Sequence, residues 1–128
     1  MATPNAFVAD CPTRAIIARL AEKWTMLSLA ALRGGPMRFG ELRRQLEGIS
    51  QKMLTKTLRR LEDDGLVVRQ DYEEKPLRVE YSLTPLGEGI SELVTKIKQW
   101  TETHMEELMS ARRNNGFADE THLEHSSS

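Results

Sequence analysis

The fifty residues from Met37 to Leu86 read in order as a short helix, a tight turn, a second helix and a two-strand hairpin. No other feature of the chain narrows its fold as much. Phe39, Leu42 and Leu46 make one apolar stripe at helical spacing, closed by Gly48. Ser50 is a good N-cap for a helix running to Gly65, a residue that stops helices. In that helix Leu54, Leu58 and Leu61 share one face, while Lys52, Thr55, Lys56 and Arg59 share the opposite one. Leu66 to Tyr72 and Arg78 to Leu83 read as strands around a polar tip, Glu73 to Leu77. In the second strand Val79, Tyr81 and Leu83 alternate with Arg78, Glu80 and Ser82, which predicts one packed and one solvated face. This is the plan of a winged helix-turn-helix, in which the second helix enters a DNA groove and the hairpin touches the neighbouring backbone. The expected class is mainly α with a small β-hairpin.

The charge distribution supports that plan although the total does not. The whole chain has a formal net charge of −1, but residues 33 to 60 carry eight cations and two acids. That segment nets +6, so everything else nets −7. Binding to a polyanion depends on the field at the contact face, so a local basic block on an acidic chain is an electrostatic footprint.

Outside this block, residues 1–10 lack periodicity and are expected to form a flexible arm. Pro12 suits the first position of a helix, in which Ile16, Ile17, Leu20 and Trp24 repeat at helical spacing. The stretch from Thr25 to Arg33 is nearly apolar all round, as in a deeply buried helix, and ends at Gly34-Gly35-Pro36. Thr84-Pro85 provides an N-cap and an N1 proline. The helix that follows spaces Leu86, Ile90, Leu93, Ile97, Trp100 and His104 alternately by four and three, a seam suited to packing along another helix. Residues 11–110 then form one winged-helix domain with terminal helices for dimerisation, and residues 111–128 a disordered tail. The dimer contacts expected are Ile16, Leu20, Leu93, Ile97, Trp100 and His104.

Donors for DNA cluster on and around the second helix of the motif. Ser50 and Gln51 open it, where unpaired N–H groups and the positive dipole end favour a phosphate. Gln51 suits bidentate pairing with adenine, and Lys52 and Arg59 can reach guanine or phosphate. Thr55 and Lys56 complete the stripe. Taken alone, such a stripe is better read as an ordinary solvated face; the turn before it, the hairpin after it and the near absence of acids until Glu62 favour DNA. On the first helix of the motif either Arg43 or Arg44 is expected to touch phosphate, with a pair between one of them and Glu47 as the alternative, and Arg38 is a further DNA-contact candidate. In the hairpin, Lys75 and Arg78 are contact candidates whose charge Glu73 and Glu74 dilute, which fits positioning better than base readout.

The run from Cys11 to Trp100 resembles the HxlR-type bacterial transcription regulators, relatives of the MarR group. The matching pieces are Cys11-Pro12, Lys23-Trp24, Arg38 to Arg44, Gly48 to Leu54, Leu58 to Glu62, Asp64 to Val67 and Arg78 to Thr84. They lie within about 90 of the 128 residues, and their combination is specific where each alone is weak. The resemblance implies a winged helix-turn-helix homodimer, joined through its first and last helices and bound to palindromic double-stranded DNA near promoters. Some members respond to oxidants or electrophiles through the cysteine before the first helix, which here is Cys11. The hairpin departs from the family's common double-proline form: only Pro76 is present, followed by Leu77.

Cys11 is the sole cysteine. At the start of a helix, with Arg14 within a turn, its thiol pKa is lowered, while Asp10 opposes the effect. The other reading is a small apolar residue buried between subunits. One thiol per chain limits reversible oxidation to an intersubunit disulfide, a mixed disulfide or an adduct. No catalytic, metal-ligating or cofactor-binding constellation is present: His104, His122 and His125 lack ligand neighbours, and no phosphate-binding glycine loop occurs. No signal peptide or membrane-spanning run is evident, so a cytoplasmic protein is expected. Two other functions remain open: a winged helix that docks on an acidic protein partner, and a regulator with a small-molecule pocket at the dimer crevice lined by Trp24 and Trp100.

Overall fold

A computed structural model describes residues 3–116. It contains six helices and one hairpin: α1 (Pro12–Leu20), α2 (Lys23–Leu32), α3 (Phe39–Gln45), α4 (Gln51–Asp63), β1 (Val67–Asp71), β2 (Val79–Leu83), α5 (Pro85–Thr103) and α6 (Met105–Asn114). The chain divides into two compact units, one ending at Thr95 and the other beginning at Lys96.

The first unit holds the core. Leu29 and Leu32 of α2, Leu42 of α3, and Leu54, Leu58 and Leu61 of α4 are all buried, joined by Leu46, Ile49, Leu66, Val67 and Val94. The stripe expected for α4 is buried, as are Leu42 and Leu46 of the α3 stripe, while Phe39 packs against the core in part. Gly48, with φ at +96°, makes the turn between them in a conformation that side-chain-bearing residues avoid. At the start of α4 the Ser50 Oγ accepts from the Met53 N–H at 3.0 Å.

The wing is an antiparallel pair with Val67 opposite Leu83 and Asp71 opposite Val79. Met37 extends it by one bridge to Tyr81, giving and receiving backbone hydrogen bonds at 2.9 and 2.8 Å. Of the β2 face expected to pack, Tyr81 and Leu83 do lie against the core, but the contrast with the other face is weak, since all five residues are half-buried.

Two helix boundaries differ from those expected. Trp24 belongs to α2 rather than α1, because the Glu22 carboxylate accepts from the Trp24 and Thr25 N–H groups and starts a new helix there. The long last helix breaks at His104, whose Nδ1 lies 2.7 Å from the Trp100 carbonyl oxygen and whose ring stacks on Trp100 with centroids 4.6 Å apart. Helix α6 then runs to Asn114, so helical order extends past the expected start of the tail at residue 111. Residues 117–128, including His122 and His125, lie outside the described residues.

The segment expected as a free arm is tied back onto α1. Arg14 donates from Nε to the Ala6 carbonyl at 3.1 Å and from Nη2 to the Phe7 carbonyl at 3.2 Å.

Candidate nucleic-acid interface

Helix α4 presents Gln51, Lys52, Thr55, Lys56, Arg59 and Arg60 around one shallow depression on its outer side. The apolar residues of α4 face the core, so the 3.6-residue repeat turns these polar ones outward together. Among the described residues, none of Lys52, Lys56, Arg59 and Arg60 has an ion-pair partner. A cluster of like charges left unneutralised is unfavourable within the fold alone and favourable beside a polyanion. Met53 is the first-turn N–H that Ser50 satisfies; those of Gln51 and Lys52 point out of the helix end with no intrahelical acceptor.

Arg38, Arg43 and Arg44 are exposed at and on α3. The Arg44 guanidinium lies back along the helix over Gly40. Glu47 forms no ion pair with either arginine among the described residues, and Glu41 is occupied in capping, accepting from the Arg38 N–H at 2.8 Å.

The wing divides its two candidates. Arg78 is held inside it: its guanidinium carbon is 3.9 Å from the Tyr72 ring centre, and its nitrogens lie 3.5 Å from Glu74 and 3.8 Å from Glu80. These contacts orient the Arg78 guanidinium along the wing and offset part of its field with two carboxylates. Lys75 is exposed at the tip and makes no ion pair among the described residues. Two further cations were not expected as contacts. Arg60 lines the depression and was legible from its four-residue spacing after Lys56. Arg69 is exposed on β1 without an ion pair among the described residues, and no sequence signal marked it.

Cys11 occupies the N-cap of α1 at intermediate exposure. Its sulfur lies 3.2 Å from the Thr13 hydroxyl and accepts from the Asn5 N–H at 3.3 Å. The thiol pKa is lowered from its ordinary value, first by the Thr13 side chain, then by the Thr13 and Asn5 backbones, against a small opposing effect of burial. Arg14, expected to contribute, instead binds the Ala6 and Phe7 carbonyls.

The residues expected at a dimer contact are mostly exposed: Ile16 on α1, and Leu93, Ile97 and Trp100 on α5, the last three each more than half accessible. Leu20 differs, packing in part against the core. Trp24 also packs there, with the Lys23 ammonium 4.8 Å above its ring.

The sequence profile of the HxlR-like helix-turn-helix family matches residues 19–109. The chain is 44% identical over 108 residues to YtfH of Escherichia coli (strain K12), an uncharacterized HTH-type transcriptional regulator, covering 84% of this chain and 86% of that one. The solved structure of YtfH from Salmonella typhimurium superposes with a TM-score of 0.80 at 40% identity, covering 87% of this chain and 99% of that one. The redox regulator HypR in its reduced form superposes with a TM-score of 0.70 at 37% identity, covering 77% of this chain and 98% of the other.

Proposed function

Because the chain belongs to the HxlR-like helix-turn-helix family, we propose that it is a transcriptional regulator that binds a palindromic promoter site as a homodimer. The α4 residues from Gln51 to Arg59 read the major groove, Arg43 and Arg44 hold the flanking backbone, and Lys75 touches it from the wing. The observation that carries this reading is the set of unpaired cations along the outer side of α4. The acidic balance of the remaining chain keeps non-specific affinity down, which suits a protein that must find one site among many.

The exposed apolar side chains of α1 and α5 form the contact with a second copy, which sets the two α4 helices ~34 Å apart along one face of the duplex. Cys11 is the input. Oxidation of the thiol, or its addition to an electrophile, alters packing at the start of α1 and with it the spacing of the two reading helices. Its lowered pKa supports this role, as does the likeness to HypR, a redox regulator. Such a protein acts in the cytoplasm; no helix among the described residues is long and apolar enough to cross a membrane.

Footprinting on the DNA upstream of its own gene, reduced and after diamide, tests the reading. Protection of a symmetric site that survives competition by unrelated DNA is expected, with loss of protection after oxidation. Equal competition by any DNA would instead favour a winged helix that docks on an acidic protein.

A further inference from the structure

Thr55 stands at the centre of the outer side of α4, one turn after Gln51 and one turn before Arg59, with Lys52 and Lys56 beside it. Its neighbours are long and exposed; Thr55 is short and half-buried, so it forms the floor of the depression that they wall. Lys52, Lys56, Arg59 and Arg60 all line that depression. Long basic side chains lay their methylene stems along a surface and keep their charged ends in water. The stems and the Thr55 methyl therefore give the depression an apolar floor beneath a charged rim. The Thr55 hydroxyl proton is donated within the helix, to the Gln51 carbonyl at 2.9 Å, a bond that threonine commonly makes to the carbonyl four residues back. Thr55 thus has no donor to offer a base. What remains is a methyl group and an oxygen that can only accept.

If α4 enters the major groove, as proposed above, the geometry points to Thr55 as a thymine-reading position. Its methyl and the surrounding stems form an apolar seat for the C5-methyl group of one thymine in each half-site. Gln51, Lys52 and Arg59 supply the polar contacts to neighbouring bases and phosphates. The thymine methyl is the apolar group that base pairs display in the major groove, and a threonine methyl is among its known partners. Guanine is disfavoured at the same seat, because its groove edge presents only acceptors and Thr55 has no proton to give.

The test begins by selecting sites from random duplex DNA with the wild-type protein. Each thymine of the selected half-site is then replaced by deoxyuridine, which removes the methyl and nothing else. At one position wild-type affinity should fall about fourfold per half-site, the worth of one buried methyl group. Thr55→Ser, which drops the methyl and keeps the hydroxyl, should bind the thymine and uracil duplexes equally. Thr55→Val, which keeps a methyl and drops the hydroxyl, should retain the preference. The opposite pattern would assign the reading to the accepting oxygen and overturn the inference. So would a deoxyuridine penalty that is absent everywhere, or one that is equal in all three proteins. Failure of the wild type to select any sequence would overturn the underlying DNA-binding reading, and this assignment with it.

Discussion

The Thr84 hydroxyl donates a 2.6 Å hydrogen bond to the carbonyl of Gly65, nineteen residues earlier, and accepts a 3.0 Å bond from the Gly87 N–H. One side chain thereby caps α5 and ties it to the end of α4. The Thr84 N–H adds a 3.0 Å bond to the Leu66 carbonyl. This junction fixes where the hairpin leaves and returns, and so where the wing stands beside the basic helix.

Gly87 makes the junction feasible, because a Cβ at that position would collide with the Leu66 carbonyl oxygen, a backbone atom that cannot swing aside. Gly87→Ala should therefore destabilise the protein by about 2 kcal/mol or more, as overpacking does. Thr84→Val, which keeps the shape and loses the cap, should cost about 1 kcal/mol. Urea unfolding followed by circular dichroism measures both, and a Gly87→Ala variant as stable as wild type would show that the junction is looser than described.

Replacing Lys56 or Arg59 by alanine should weaken DNA binding and lower the slope of log affinity against log salt by about 0.9 for each phosphate no longer neutralised. Arg78→Ala should leave the slope unchanged, since Tyr72, Glu74 and Glu80 hold its guanidinium along the wing. Titrations at several salt concentrations separate the two cases. A fall in slope for Arg78→Ala would mean that its guanidinium leaves Tyr72 to grip the backbone.

Charged residues in place of Ile97 and Trp100 should give monomers by analytical sedimentation and abolish binding to a palindromic site. Both side chains are more than half exposed on α5, so the substitutions should not unfold the core. Dimers that persist in the double variant would place the subunit contact elsewhere.

The Cys11 thiol should react with iodoacetamide at lower pH than an ordinary cysteine, since its pKa is lowered chiefly by Thr13. Thr13→Ala should move the rate–pH profile upward. By linkage, a depressed thiol pKa favours the folded state above the pKa of the unfolded thiol, and this contribution fades as pH falls through the folded value. Profiles that coincide for Thr13→Ala and wild type would remove Thr13 as the cause.

Diamide should release the wild type from its site and leave Cys11→Ser bound. Nearly complete release requires ~5.5 kcal/mol of differential affinity between two dimer states, which a bulky adduct or a covalent link between subunits can supply and a change of thiol ionisation cannot. Equal behaviour of the two proteins in gel shifts, with and without oxidant, would make Cys11 a packing residue.

The faces of α4 were legible in the sequence because helical periodicity alone decides which residues lie together, and Leu54, Leu58 and Leu61 could only face inward. The caps at Ser50 and Thr84 were legible for the same local reason, since each accepts from the N–H three residues on, and so was the N1 proline of α1, whose ring restricts only its own backbone angle. What lay beyond local reach was decided by tertiary structure. Whether a cation is free depends on what the fold brings beside it, and hairpin register set Arg78 among Tyr72, Glu74 and Glu80 while leaving Lys75 open. Cys11 owes part of its acidity to the Asn5 N–H, which reaches it only because the arm folds back, and the same fold draws Arg14 away to two carbonyls. Periodicity assigns a side chain to a face. Only the packed chain, in which distance is measured through space, assigns it a partner.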